Sequence, residues 1–414
     1  MSRRKTALRA RFVFPVAGPP IPGGMVVIEG SKIVAVGSQL TAKRVEDLGN
    51  VAIVPGLVNA HTHLEFSSLH QPLGNPGMSL PDWIRHLMGH RRAAGDDVAK
   101  AVSRGLEESV ARGTTTVGEI ATTDWRTSEK LPETMPTTVM FDESIGPTML
   151  RAQAAAESAN VFLAAGSSRS EVLPALSPHA PYTVHPRLLS SLVELSRRHG
   201  VPLAMHLAES REELELLRAG SGPFRDLLES VGVWEDDGRL PRIADYLAEL
   251  AKAPRALVIH GNYLDDEEVE FLAARRQTMS VVHCPRTHHF FGHEPYPLAG
   301  RLAAGVSMAL GTDSRASNPD LSLFEEMRFV AEHHPNVDSA TVLRLGTIGG
   351  AVALGLDDRT GTIEPGKQAD LAVIAIATAS ADDPHELLFL PESRVVRSWL
   401  RGLGVGQPQP IWKV

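Results

Sequence analysis

Leu57-Val58-Asn59-Ala60-His61-Thr62-His63 is a short apolar run, entered through Val54-Pro55-Gly56, that ends in two histidines. Runs of the same build recur at 114–117, 137–141, 172–176, 202–205, 256–259, 280–282 and 306–310. Helix-like periodic segments, such as 190–198 and 211–218, lie between most of them. Repeated strand–helix alternation of this kind predicts an α/β fold, a (β/α)8 TIM barrel. A doubly wound parallel sheet is the alternative that alternation alone leaves open. Nearly every run stops at an ionisable group. In chain order these are His61 and His63, Glu119, Asp142 or Glu143, His179, His206 with Glu209, His260, His283 and Asp313. In a barrel such strand ends open onto one mouth. Packing is a poor explanation for the habit, because buried charge is costly without partners or a metal.

The ends of the chain read differently. Residues 25–30 and 32–37 form a hairpin pattern around Gly30-Ser31. A β-rich signature returns at 361–370, succeeded by the apolar run 371–376. Residues 1–56 and 358–414 are therefore expected to build one β-sandwich accessory domain, with the barrel over 57–357.

Composition removes several function classes. The chain has 414 residues, 41 Lys+Arg against 49 Asp+Glu, and a formal net charge of −8. That balance, without a basic patch, argues against nucleic-acid binding. The single cysteine, Cys284, excludes an intrachain disulfide and a multi-Cys zinc knuckle, leaving 17 histidines as the metal-binding stock. Met1-Ser2-Arg3-Arg4-Lys5 is basic, but Arg9 and Arg11 interrupt the next ten residues, so no secretory segment is expected. No run of about 20 apolar residues predicts a membrane span. The expected location is the cytoplasm. Oligomeric state stays open, a homodimer being the commonest closed assembly.

On a strand, residues i and i+2 point to the same side, so His61 and His63 can share one cation. His206 and Asp313, at later strand ends, would complete three histidines and one aspartate. That set suits Zn²⁺ or Fe²⁺ with a position left for water.

Pro55-Gly56-Leu57-Val58-Asn59-Ala60-His61-Thr62-His63, His206-Leu207-Ala208-Glu209 and Leu310-Gly311-Thr312-Asp313-Ser314 together resemble the amidohydrolase superfamily, in its deaminase and chlorohydrolase branch. Further matches are Ser177-Pro178-His179-Ala180-Pro181-Tyr182, His283-Cys284-Pro285, Ser317-Asn318-Pro319 leading into Glu325-Glu326-Met327-Arg328, and 361–374. The likeness runs through nearly the whole chain in the family's order. It implies metal ligation by His61, His63, His206 and Asp313, proton transfer by Glu209, and His260 at the water. It also implies substrate contact by His179 and His283. After His283-Cys284-Pro285, where many relatives continue with Ser-Asn, this chain has Arg286-Thr287-His288-His289. Binuclear relatives carry a carboxylated lysine at the fourth strand. No lysine stands near 175–179, so one divalent ion is expected.

The implied reaction is hydrolytic loss of an amino group, as ammonia, from a purine-like or other nitrogen heterocycle. Glu209 would move protons and His260 with Asp313 would orient the water. Chloride or cyclic-amide hydrolysis is the nearest alternative, and a non-catalytic barrel scaffold a remote one. Residues 65–92 read as a lid with a capped helix start at Ser79. Trp83 on it is either a stacking surface for a planar substrate or core, and Glu65 a plausible polar contact. His288, His289 and His293 sit in a Pro/Gly-punctuated stretch read as a pocket-lining loop, and no metal is assigned there. His333-His334 reads as a helix C-terminus, where cations suit the dipole.

Overall fold

The computed structural model describes residues 5–93, 97–234 and 240–405. The basic residues at 1–4 and the last stretch of the expected sandwich, 406–414, lie outside the described residues. Parallel strands β1 (Leu57–Thr62), β2 (Thr114–Ala121), β3 (Thr137–Ser144), β4 (Val172–Pro178), β5 (Leu203–Leu207), β6 (Ala256–His260), β7 (Met279–His283) and β8 (Met308–Leu310) form one eight-stranded sheet in sequential order. A parallel bridge between Thr62 and Asp313 draws its two edges together. There the Thr62 hydroxyl donates to the Asp313 carbonyl at 2.8 Å, and the Thr312 and Asp313 amides donate to the His61 carbonyl at 3.0 and 3.1 Å. The sheet is thus a nearly closed (β/α)8 barrel, not a doubly wound sheet.

The apolar runs were legible because parallel strands are buried on both faces. Residues of one parity, Val58, Val139, Phe141, Ala175, Ala204, Leu257, Ile259, Val282 and Ala309, pack together with Ala351, Ala353 and Leu354. The helix Gly350–Leu354 lies across β1, β6, β7 and β8 and stops that end of the barrel. Along β3 the alternation carries Val139 and Phe141 on to Glu143, and along β5 Ala204 on to His206. The side that packs the interior therefore delivers ionisable groups to the open end.

The intervening helices start and stop on local signals. Pro186–His199 begins with proline in its first turn and ends at Gly200, in the left-handed region at φ 66°, while burying Leu188, Leu189, Leu192 and Leu195. Arg211–Ala219 is capped by the Ser210 side chain, which accepts from the Glu213 amide, and ends at Gly220. Leu323–His333 ends where the sequence placed a helix terminus, with His334 as its C-cap.

Both chain ends contribute to an extra domain of two sheets, one four-stranded and one six-stranded. Met25–Glu29 and Lys32–Gly37 form the expected hairpin. In the six-stranded sheet Val51–Pro55, just before the barrel, pairs antiparallel with Leu371–Ala375, just after it. Leu8, Val26, Ile28, Ile33, Ile53, Leu371, Val373 and Trp399 fill the space between the sheets.

One expectation is corrected. The stretch from 286 to 297, read as a loop, begins with a short helix, Pro285–Phe290, whose opening proline supplies the start signal.

Candidate functional site

Beyond the carboxyl ends of β1, β5, β6 and β8, four histidines and two carboxylates converge. The imidazoles of His61 and His63 meet edge to face with centroids 4.9 Å apart, and His206 lies 5.0 Å from His61 and 5.4 Å from His63. Asp313 Oδ1 stands 3.7 Å from His61 Nε2 and 3.6 Å from His63 Nε2. His260 stacks 5.6 Å from His206, and its Nε2 is 3.4 Å from Glu209 Oε1.

The imidazoles are poised as neutral donors of lone pairs. Burial holds His61, His63 and His260 well below the usual imidazole range, and takes His206 down to about 4. Neighbouring imidazoles add to the depression of His61 and His206. The Nδ1 of His206 faces the His179 carbonyl at 3.0 Å. A carbonyl only accepts, so Nδ1 carries the proton and Nε2 presents a lone pair to the cluster. Both ring nitrogens of His61 are buried with no hydrogen-bond partner among the described residues. An orphaned buried imidazole beside a carboxylate is costly as a hydrogen-bonding arrangement but is what a cation site requires. Imidazole nitrogens with one carboxylate oxygen form a donor set that a borderline divalent ion accepts.

The backbone bends to bring this about. Ala208, His260 and Asp313 adopt φ of 52°, 64° and 56°, the left-handed region that non-glycine residues seldom occupy. Such outliers gather where structure is constrained around chemistry. Asp313 is further held by the Ser317 hydroxyl, which donates to Oδ2 at 3.1 Å.

A cavity of about 330 Å³ opens on the cluster, with His63, His206, Glu209, His260 and Asp313 on its floor. His179 lines it, its Nε2 4.0 Å from Glu143 Oε1. The remaining wall is mainly apolar. The helix Leu80–Ala93 supplies Leu80, Trp83, Ile84, Leu87 and Met88, and Leu227, Leu228, Val231, Val233 and Phe291 face them. Trp83 is held in this wall by its Nε1, which donates to the Ala316 carbonyl at 3.2 Å, and by an edge-to-face contact with Phe291.

Two residues singled out in the sequence stand elsewhere. His283, at the end of β7, stacks on Tyr296 at 3.7 Å and is not among the residues lining the cavity. Glu65 also lies off the lining, where it accepts from Thr122 at 2.9 Å and pairs with Arg91 at 2.6 Å. Glu143 lines the cavity instead. Its Oε1 is buried without a hydrogen-bond partner, and burial pushes its carboxyl up. At the sequence level Asp142 and Glu143 were indistinguishable, and strand parity decides for Glu143.

The departure after Pro285 also has a structural account. Arg286 binds Glu326, which is fully buried, through its amide at 2.9 Å and Nε at 2.6 Å. Glu326 accepts in turn from Asn318 Nδ2, which also reaches the Thr312 carbonyl at 2.8 Å, beside Asp313. Arg286→Met removes the cation from the buried Glu326 carboxylate, leaving it the residue-286 amide and Asn318, and is expected to cost about 3–5 kcal/mol. Chemical denaturation measures this, and a loss under about 1 kcal/mol would contradict the account.

A barrel whose mouth gathers histidines and acidic groups in this way is the architecture of a hydrolase that activates water at a metal centre. The sequence profile of the amidohydrolase family matches residues 52–397, and the chain belongs to that family. It is 30% identical over 381 residues to the 5-methylthioadenosine/S-adenosylhomocysteine deaminase of Desulforudis audaxviator, covering 88% of this chain and 84% of that one. It is 29% identical over 361 residues to the aminodeoxyfutalosine deaminase of Deinococcus radiodurans, covering 82% and 83%. The Helicobacter pylori aminofutalosine deaminase crystallised with methylthio-coformycin superposes with a TM-score of 0.85 at 23% identity, over 97% of this chain and all of that one. This last likeness speaks to fold.

Proposed function

We propose that this chain is a metal-dependent aminohydrolase that releases ammonia from the purine ring of a nucleoside bearing an apolar substituent. One observation carries the reading: Glu209 and His260 face the same cavity floor as His63, His206 and Asp313, with the orphaned His61 packed against them. The names of the relatives, deaminases of nucleosides, agree with it.

In this reading His61, His63, His206 and Asp313 hold one divalent ion, Zn²⁺ in first place and Fe²⁺ as the alternative. When bound, such an ion supplies the Lewis acidity that makes water a nucleophile at neutral pH. Glu209 takes a proton from the water and delivers it to the ring nitrogen beside the aminated carbon. It then serves the departing nitrogen, so that the C–N bond breaks as ammonia and a ring carbonyl remains. Burial, reinforced by the Asp313 charge, raises the Glu209 carboxyl well above the ordinary range, which suits a group that must hold a proton during turnover. His260 Nε2, beside Glu209, orients the water and shares its proton.

For substrate contacts the proposal keeps His179 and Trp83. The polar contact expected of Glu65 passes to Glu143. His283, stacked on Tyr296 away from the lining, is not kept as a substrate contact. The apolar facing surfaces of the Leu80–Ala93 helix and of 227–233 receive the substituent remote from the amine. The cytoplasmic location expected from the sequence stays part of the reading.

The test is ammonia release by enzyme loaded separately with Zn²⁺ and Fe²⁺. The substrates are adenosine, 5′-methylthioadenosine, S-adenosylhomocysteine and aminodeoxyfutalosine. We expect release, with kcat/KM for 5′-methylthioadenosine exceeding that for adenosine by about 10-fold or more, the discrimination a small apolar group supplies in an apolar pocket. Silence on all four at full metal occupancy would reject the function. Equal rates for the two adenosines would reject the role given to the apolar wall.

A further inference from the structure

Glu209 sits on a three-residue turn between β5 and the helix Arg211–Ala219, and such a turn has little of its own to hold it still. The neighbouring side chains hold it from both sides. Glu213, in the first turn of that helix, folds back so that Oε1 accepts the Ala208 amide at 2.9 Å and Oε2 accepts the Glu209 amide at 2.8 Å. On the far side Asn262 Nδ2 donates to the Glu209 carbonyl at 2.8 Å. His288 packs beside it, with Nδ1 3.1 Å from Asn262 Oδ1 and Nε2 2.8 Å from the Glu294 carbonyl, and the neutral ring donates to one of these two acceptors. The backbone at Ala208 is strained, with φ 52°, so without outside ties the turn would relax.

We propose that Glu213 and Asn262 are positioning residues that clamp the two peptide groups flanking Glu209 and so fix its carboxylate over the cavity floor. The clamp rests on the catalytic reading of Glu209 but consists of groups that reading does not use. Glu213 is 1% exposed, has no cationic partner among the described residues, and is held by backbone donors alone. A buried carboxylate of this kind is unfavourable as mere packing. It is well suited to two convergent N–H groups, because it offers an acceptor to each. An amide in its place offers one oxygen to one N–H and turns its NH₂ against the other. His288 belongs to the Arg286-Thr287-His288-His289 stretch where the chain departs from its relatives, so that departure places a ring beside Asn262.

The experiment compares Glu213→Gln, Glu213→Ala and Asn262→Ala in full-length, metal-loaded protein, with 5′-methylthioadenosine as substrate. Asp338→Ala, which removes the N-cap of the distant helix Ser339–Arg344, serves as a control for destabilisation alone. Glu213→Gln is expected to lower kcat by about 10- to 100-fold, the scale of a displacement near 1 Å. KM should stay within about twofold, and metal content should be unchanged. Glu213→Ala is expected to fall further and to recover part of its kcat in added formate, which supplies the missing carboxylate. If Glu213→Gln fails to fold, Asn262→Ala reads the same clamp from its other side, again in kcat. The proposal is overturned if a folded Glu213→Gln keeps kcat within about twofold of wild type. It is equally overturned if activity loss follows melting temperature as in Asp338→Ala and formate restores nothing. Activity retained in Glu209→Gln would instead strike at the catalytic reading itself, so the two failures are separable.

Discussion

Glu209→Gln is expected to lower turnover by about 10²–10⁴-fold, the usual contribution of a positioned acid–base group, while bound metal stays at the wild-type level. The substitution preserves shape and removes one property, the capacity to take up and release a proton. The contacts that place residue 209 are made by its backbone, through Glu213 and Asn262, so the glutamine should occupy the same position. Its carboxamide can still lie near His260. Binding of a non-reacting analogue should therefore change little, and the loss should fall almost wholly on kcat. Elemental analysis beside steady-state kinetics separates this outcome from its rivals. Loss of metal would make Glu209 a ligand rather than a proton carrier, and retained turnover would remove it from the chemistry altogether.

Removal of the metal is expected to have an effect at least as large. Chelated enzyme should fall below detectable ammonia release and recover on adding Zn²⁺, whereas His61→Ala should neither hold the ion at wild-type occupancy nor recover. The reason lies in the two His61 nitrogens, buried and unpartnered among the described residues, with Asp313 Oδ1 at 3.7 Å. A core histidine would satisfy at least one nitrogen with a hydrogen bond, as His206 does through the His179 carbonyl. Because burial already holds these imidazoles neutral, little proton release need accompany binding near pH 7. Full activity in chelated enzyme with no detectable metal would refute the assignment.

The barrel is legible in the sequence because its signal is local. Each of β1 to β8 is an apolar run short enough for a buried parallel strand, and helical segments lie between most of them. The same local signal placed His61, His63, His206, His260 and Asp313 at strand ends, and barrel geometry then implies that they meet. What could not be read depends on side-chain direction and on distant contacts. Parity separates Glu143 from Asp142, yet a one-residue uncertainty in register exchanges them. His283 ends its strand as His206 does, but Tyr296, thirteen positions on, takes its ring in a stack. Glu65 is claimed by Arg91 and Thr122, which no spacing rule connects to it. The left-handed residues His260 and Asp313 carry no sequence mark either, since nothing in His or Asp announces a positive φ.

The pairing of Val51–Pro55 with Leu371–Ala375 bears on how the molecule is made. Arg11 likewise donates to the Ala377 carbonyl at 2.8 Å, a contact between positions 366 apart. During synthesis the strands of the four-stranded sheet, all within residues 5–47, find their partners early. Val51–Pro55, by contrast, emerges long before Leu371–Ala375 and waits with that edge uncovered while the barrel strands are added in order. Loop-closure entropy makes such distant pairing late and slow, and exposed strand edges invite association between chains in the interval. The six-stranded sheet is then expected to be completed only after the barrel strands have been made. A chain halted shortly before residue 371 would carry the whole catalytic mouth, yet would display an unpaired strand edge at the barrel's entrance.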